Sequence, residues 1–349
     1  ICELFLYKII NQYSLRFNTY NIKKYPKYLK PFPENKSYQK EVLWNSPKSE
    51  LLKDDLIKKC YPNYLLLASK QLMLQKGDIP WSYNFFDGED TESLHRWNWV
   101  LISLSECEYN RKELACWFSN QAESWLQKYL PELQQNSFLK QLHWFPYTVG
   151  ERISNTCIFF YLTGLRPSDK IIKGLRGQAQ YLSEHLEFQG AKTGNHVVNN
   201  ARALYIAGCF LNFPAWQEIA FQIFKHEIPN HITQDGFFRE GSSHYQFLYT
   251  RWLLELFHFS NVFEDHQTGN FLEDFCRKML KQCEFFQVYN NKSYCSIPLF
   301  GDISPDCSPL WLIDLPHSSL AQVFNSKTKD MEGMKIPVKV KVEDDKSFT

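Results

Sequence analysis

Gly194–Leu211 reads GNHVVNNARALYIAGCFL, and Asp235–Thr250 reads DGFFREGSSHYQFLYT. Val197, Ala201, Leu204, Gly208 and Leu211 recur at helical spacing, which puts one apolar seam inward. Tyr245, Leu248, Trp252, Leu256 and Phe259 do the same for the second stretch. Each seam is headed by a polar cluster: Asn195, His196 and Asn199 in one, Ser242, Ser243, His244 and Tyr245 in the other. A helix start presents unpaired N–H groups and the positive end of the dipole, so both are natural anion sites.

Outward from these, amphipathic stripes separated by short breakers fill the chain. Helices are expected near Leu94–Ser105, near Lys112–Tyr129, and near Glu151–Thr163, where Gly164 and Pro167 end the pattern. Ser168 reads as the N-cap of the next, striped by Ile171, Leu175, Leu182 and Leu186. Trp216, Ile219, Ile223 and Phe224 mark another, and Leu272, Phe275, Met279, Cys283 and Phe286 the last. Residues 1–75 read as an irregular arm rich in Lys, Tyr, Pro and Asn, with short helices near Leu51–Cys60 and Asn63–Gln75. Strand alternation is confined to KIPVKVKVE at Lys335–Glu343.

Eight or so helices with short connections imply an all-α fold of antiparallel hairpins, as an open solenoid or an α/α toroid. No 34- or 40-residue repeat is visible, which argues against a TPR or HEAT array. Of 349 residues 44% are hydrophobic, ample for a large core, and the formal charge of +1 lacks the basic excess of a general nucleic-acid binder. No uninterrupted apolar run is long enough to span a membrane. The ten cysteines form no CxxC pair or Cys/His spacing, so neither zinc nor a disulfide framework is indicated and no cofactor is expected. Cys157, Cys209, Cys276 and Cys283 read as small buried hydrophobes. The chain begins at Ile1, with no leader peptide in view.

GNHVVNNARALYIAGCFL, the Trp216 helix and DGFFREGSSHYQFLYTRWLLEL together resemble the heparinase II/III family of polysaccharide lyases. HRWNWVL at His95–Leu101, WFPYTVGERISN at Trp144–Asn155 and GDISPDCSP at Gly301–Pro309 are similar to its other segments, so the resemblance covers roughly Trp81–Leu312. It implies an incomplete α/α toroid over 76–312, after an N-terminal arm at 1–75 and before a tail at 313–349. It implies β-elimination on acidic polysaccharides such as heparan sulfate or alginate, in the cell envelope or periplasm. Asn195, His196 and Tyr245 match the family's catalytic residues. The family also has a β-sandwich domain that supplies a catalytic His. The 37 or so residues after Leu312 are too few for one, and nothing marks His317 as that residue. The expectation is weak polysaccharide binding and little turnover by these 349 residues alone. Asn199 stands where some members carry an acid, and Gln246 where many carry His.

The residues suit that chemistry. Taking the proton at C5 of a uronate requires donors that stabilise charge growing on its carboxylate. Asn195 is a two-pronged neutral donor, and His196 donates or, if neutral, accepts a proton. A Tyr245 phenol removes or delivers a proton, and to act as a base near neutral pH it needs a neighbouring positive charge. Arg152 and Arg239 are candidates for that charge or for gripping the substrate, with Trp144, Tyr147, Asn199, Glu240 and His244 expected nearby. Plain alternatives stand beside each: Asn195, Ser242 and Ser243 as caps, Tyr245 as core, Asp302 and Asp306 as turn formers. Two other readings are a toroid glycoside hydrolase using Asp235 and Glu240, and a non-catalytic glycan-binding remnant.

Overall fold

Helices dominate the computed structural model, which describes residues 26–29, 44–46, 50–51, 62–83, 85–105, 111–134, 141–190, 193–286, 288–290 and 294–303. In chain order they are α1 (Gly88–Arg96), α2 (Asn98–Ser105), α3 (Arg111–Tyr129), α4 (Pro146–Thr163), α5 (Asp169–Glu184), α6 (Asn195–Phe210), α7 (Pro214–His231), α8 (Ser243–Val262) and α9 (His266–Phe285). The fold is all-α, an incomplete α/α toroid of antiparallel helix hairpins.

Burial sorts the helices into two layers. α4, α6 and α8 are buried around almost their whole circumference; His196 is the only exposed residue of α6. α5, α7 and α9 bury one face and leave the other wet. A helix buried all round belongs inside, and a striped one outside. The packing agrees: α6 lies against α4, α7 and α8, while α9 covers α8 and α5 covers α4 and α6. Because inner and outer helices alternate with short reversals, the three inner helices run the same way. Their N-terminal ends therefore meet at one end of the ring, and three helix dipoles point their positive ends there.

Local signals set the boundaries. Ser168 Oγ accepts the Ile171 N–H, and Ser242 Oγ accepts the Tyr245 N–H at 3.1 Å, as N-caps do. Gly164, at φ 70°, closes α4 by donating its N–H to Phe160 and Tyr161 carbonyls. Cys157, Cys209, Cys276 and Cys283 are buried thiols outside any disulfide.

An ion network ties the inner helices together. Arg202 of α6 donates to Glu151 of α4 at 2.6 Å and to Glu255 of α8 at 2.8 Å. Arg251 bonds Glu255 at 2.6 Å and reaches Asn155 of α4. All four charged groups are buried, and the two positive charges balance the two negative ones. Such a network discriminates strongly between the native register and any slipped one, since an unpaired member is costly.

Two sequence expectations are corrected. The single helix expected over Leu94–Ser105 is broken at Trp97, which takes a left-handed φ of 62°. That conformation costs a non-glycine residue about 1–2 kcal/mol. It is offset by the packing of the Trp97 ring, 1% exposed, against Trp81, Phe118 and Trp125. The helix expected over Asn63–Gln75 is instead a hairpin, Tyr64–Leu66 paired antiparallel with Gln71–Met73. Its turn is held from outside: Asp90 of α1 accepts from the Ser69 N–H and hydroxyl at 2.8 and 2.7 Å and pairs with Lys70. No local periodicity announces such a partner. Leu65 and Leu67 of the hairpin are buried in the core. Glu50–Leu51 pairs in parallel with Leu165–Arg166. The expected helix at Leu51–Cys60, apart from Leu51, lies outside the described residues, as do His317 and the Lys335–Glu343 strand.

Candidate functional site

The polar helix starts come together at the shared N-terminal end of the inner layer. α4 contributes Tyr147, α6 contributes Asn195 and His196, and α8 contributes Tyr245. The Tyr147 and His196 rings lie 4.7 Å apart. Asn195 Nδ2 reaches Glu240 Oε2 at 3.5 Å, and the Asn195 backbone N–H also serves that carboxylate. A carboxylate of the chain itself thus sits at the positive end of α6, the anion site its sequence implied. Burial raises the Glu240 pKa, with the nearby Asp302 charge adding to it and His196 opposing.

His196 is half exposed and oriented by a carboxylate. Its Nδ1 lies 3.1 Å from Glu187 Oε1, in the loop before α6. Glu187 is itself clamped: Asn200 Nδ2 donates to Oε2 at 3.1 Å, and Asn200 Oδ1 accepts the Glu187 N–H at 3.0 Å. Enclosure by neighbours works against a charged imidazole, but the bond and charge of Glu187 outweigh it, and the His196 pKa is raised. Arg96, at the end of α1, stacks over the Tyr147 ring at 5.0 Å and pairs with Glu89 at 3.2 Å and Glu92 at 2.5 Å. Its charge also bears on His196.

Tyr245 is half buried, and its Oη donates to Asp302 Oδ2 at 3.2 Å. Burial, then the charges of Asp302 and Glu240, push its pKa well above that of an ordinary phenol. Asp302 arrives on a segment laid over the start of α8. There the Ser243 hydroxyl donates to the Pro298 carbonyl at 2.8 Å, the Ser243 N–H donates to the Phe300 carbonyl, and Ser242 Oγ donates to the Asp302 carbonyl. Gly301, at φ 79°, makes this approach possible, since a Cβ there would meet Gly241 O at 2.8 Å.

Other expected site residues are placed elsewhere or hidden. Arg152 is fully buried, its guanidinium 4.0 Å from the Trp125 ring centroid and within 6 Å of those of Trp97 and Trp144. It donates to Gln178 Oε1 at 2.6 Å and to the His95 carbonyl at 2.9 Å. Burial lowers its pKa to about 9, and it has no route to a ligand. The periodicity of α4 aims position 152 inward, a consequence that motif matching overlooks. Trp144 is likewise sealed, 1% exposed, with its indole N–H on Glu132. Asn199 is buried beneath the site, donating to the Tyr147 carbonyl and accepting from Arg202 at 2.5 Å. His244 is 1% exposed. Arg239 is exposed on the turn before Glu240. Gln246 points away from the site; it accepts the Phe238 N–H and donates to the Gly236 and Met279 carbonyls. Asp235 sits on a turn against α9, its carbonyl bonded by Gln282 and its neighbour Gly236 packed on Lys278, whereas Glu240 faces Asn195.

Three contributors were not singled out as site residues from sequence. Arg96 lies inside the HRWNWVL motif, so the signal was present. Asp302 lies inside GDISPD, where local sequence points to a turn. Glu187 has no local signature; only the approach of its loop to α6 reveals it. Among the described residues no group of three or more His, Cys, Asp or Glu has the geometry to hold a metal ion. No described helix is long and apolar enough to cross a membrane.

Comparison with known proteins supplies the context. The family profile described as heparinase II/III N-terminus matches residues 50–329. A heparin-sulfate lyase of Bacteroides thetaiotaomicron is 23% identical over 251 residues, 65% of this chain and 34% of that protein. The chain thus spans about a third of the length of that curated relative. A crystal structure of heparinase III is similar in fold, with a TM-score of 0.51 at 20% identity, covering 74% of this chain and 41% of that one. A heparan sulfate lyase from Pedobacter heparinus gives 0.47 at 20% identity, covering 75% and 42%.

Proposed function

The chain belongs to the heparinase II/III family, and from that premise we propose that its helical site serves β-elimination on uronate-containing acidic polysaccharide. The observation that carries the proposal is the meeting of an amide, an imidazole and a phenol at the positive ends of parallel helices, beside a position already occupied by a carboxylate.

In this reading the uronate carboxylate takes the place near α6 that Glu240 holds in the free protein. The Asn195 amide and the His196 imidazolium donate to it and stabilise the charge that grows as the C5 proton leaves. The C5 proton passes to a general base, a role left to the catalytic His that the family draws from its β-sandwich; the C4–C5 double bond then forms as the bond from C4 to the glycosidic oxygen breaks, and that oxygen requires a proton. Tyr245, held as the neutral phenol by burial and by the Asp302 and Glu240 charges, is suited to deliver it. Tyr147, half buried with Arg96 over its ring and the His196 ring tilted against it, is a candidate platform for a sugar ring. Asn199 acts from beneath, fixing the Tyr147 backbone to Arg202.

The test follows unsaturated-uronate absorbance with heparan sulfate, heparin and alginate as substrates. Elimination creates a conjugated product and hydrolysis does not. These 349 residues alone are expected to turn over little; in a chain extended by a β-sandwich domain, Tyr245→Phe is expected to lower kcat at least about a hundredfold with little change in affinity. Turnover that yields only saturated ends, or full activity in Tyr245→Phe, sinks the mechanism.

A further inference from the structure

His196 is the only exposed residue of α6, and its orientation is set by the Glu187 carboxylate. Glu187 comes from the loop after α5. One of its oxygens takes His196 Nδ1 at 3.1 Å and the other takes Asn200 Nδ2 at 3.1 Å, while its own N–H returns to Asn200 Oδ1 at 3.0 Å. The reciprocal pair with Asn200 removes the rotamer freedom a glutamate would otherwise keep, so the carboxylate is presented in one place. An imidazole whose Nδ1–H is given to a carboxylate has its tautomer fixed, and Nε2 is left for a ligand. Nε2 has no hydrogen-bond partner among the described residues.

We propose that Glu187 is the positioning residue of His196: clamped by Asn200, it holds the ring as an imidazolium whose Nε2–H meets the substrate carboxylate. This rests on the lyase reading above and deepens it, because it makes recognition of the anion depend on one proton. The groups facing the ring from the elements around it are Glu187 from the loop before α6, Tyr147 from α4, Arg96 from α1 and Glu240 from the turn before α8. Glu187 and Glu240 favour the charged ring; Arg96 opposes it. The same enclosure that disfavours the cation in the free site strengthens its bond to an arriving anion.

The experiment compares wild type, Glu187→Gln and Asn200→Ala. The His196 titration is read by NMR of the imidazole in the protein without ligand, assigned with His196→Asn. Affinity for a heparan sulfate oligosaccharide is measured calorimetrically from pH 5 to pH 8. Glu187→Gln keeps the shape and an acceptor but loses the charge. Its His196 midpoint is expected to fall, because the largest influence that raises it is gone. Its affinity should match wild type within about twofold at pH 5 and fall several-fold at pH 7, where an unassisted imidazole is only about one-quarter protonated. Asn200→Ala keeps the charge and loses the clamp, and should shift the midpoint in the same direction by less. An unchanged midpoint in Glu187→Gln overturns the proposal, and so does an affinity loss equal at every pH, which marks a merely structural role. If the midpoint moves as expected but wild type binds no uronate polymer at any pH, the lyase reading falls and takes the presentation role with it. If wild type binds and only the pH dependence is missing, the lyase reading stands and this inference alone fails.

Discussion

The Tyr245 hydroxyl donates to the Asp302 carboxylate at 3.2 Å, joining the third residue of α8 to a segment 57 positions later in the chain. The bond places a negative charge beside a phenol that burial already disfavours as phenolate. The free protein therefore holds Tyr245 as an acid and makes it a poor base.

Asp302→Asn is expected to lower the Tyr245 pKa, since it removes the largest neighbouring charge while keeping an acceptor. The sign follows from charge: a carboxylate raises a phenol's pKa, so deleting it lets the phenolate form at lower pH. The measurement is the phenolate absorbance titration, with Tyr245→Phe identifying the group. A Tyr245 midpoint that does not move down rules out this coupling.

Arg152 belongs to the core and not to the substrate. Arg152→Met is expected to cost about 2–4 kcal/mol of stability, because Gln178 Oε1 and the His95 carbonyl lose their buried donor. Affinity of the folded protein for polysaccharide should be unchanged. Urea denaturation and binding separate the two; a stable variant that has lost binding would return Arg152 to the site.

Arg202→Met removes the shared partner of Glu151 and Glu255 and leaves two buried carboxylates with reduced compensation. The expected loss is about 3–5 kcal/mol. Adding Glu151→Gln should recover part of it, and a purely additive double variant would show that the two do not interact.

Stability should fall on mild acidification. Burial depresses the pKa of His95, and His143 and Arg152 charges add to that. The neutral His95 Nδ1 accepts the Trp125 indole N–H at 2.9 Å, a bond that protonation abolishes. Because the folded pKa lies below the unfolded value near 6.5, the unfolded state binds the proton first. Stability is therefore full above about pH 6.5 and drops as pH falls below it, by up to about 1.4 kcal/mol per pH unit from this one group. His196 works the other way. Its raised pKa adds stability that is full below about pH 6.5 and disappears as pH rises through the folded value; being half exposed, it contributes little. Thermal melts from pH 8 to pH 5 check this. A His95→Gln protein as steeply acid-sensitive as wild type would contradict the assignment.

What the sequence determined by itself was the helical architecture, and it picked out candidate anchors for the site. The periodic seams of Val197–Leu211 and Tyr245–Phe259, the caps at Ser168 and Ser242 and the stop at Gly164 act within one or two turns, so their effects are legible locally. Asn195, His196 and Tyr245 could be singled out because a polar cluster at the head of an apolar seam is itself a local pattern. What only the tertiary structure decided was which polar residues share a surface. Arg152 sits in a motif beside the site, yet α4 turns it into a cage of tryptophans. Glu187 and Asp302 reach His196 and Tyr245 from other loops, and Asp90 turns an expected helix at Asn63–Gln75 into a hairpin. These outcomes depend on contacts between segments far apart in the chain. The energy that selects them comes from burying and pairing charges across helices, which no periodicity within a single segment encodes.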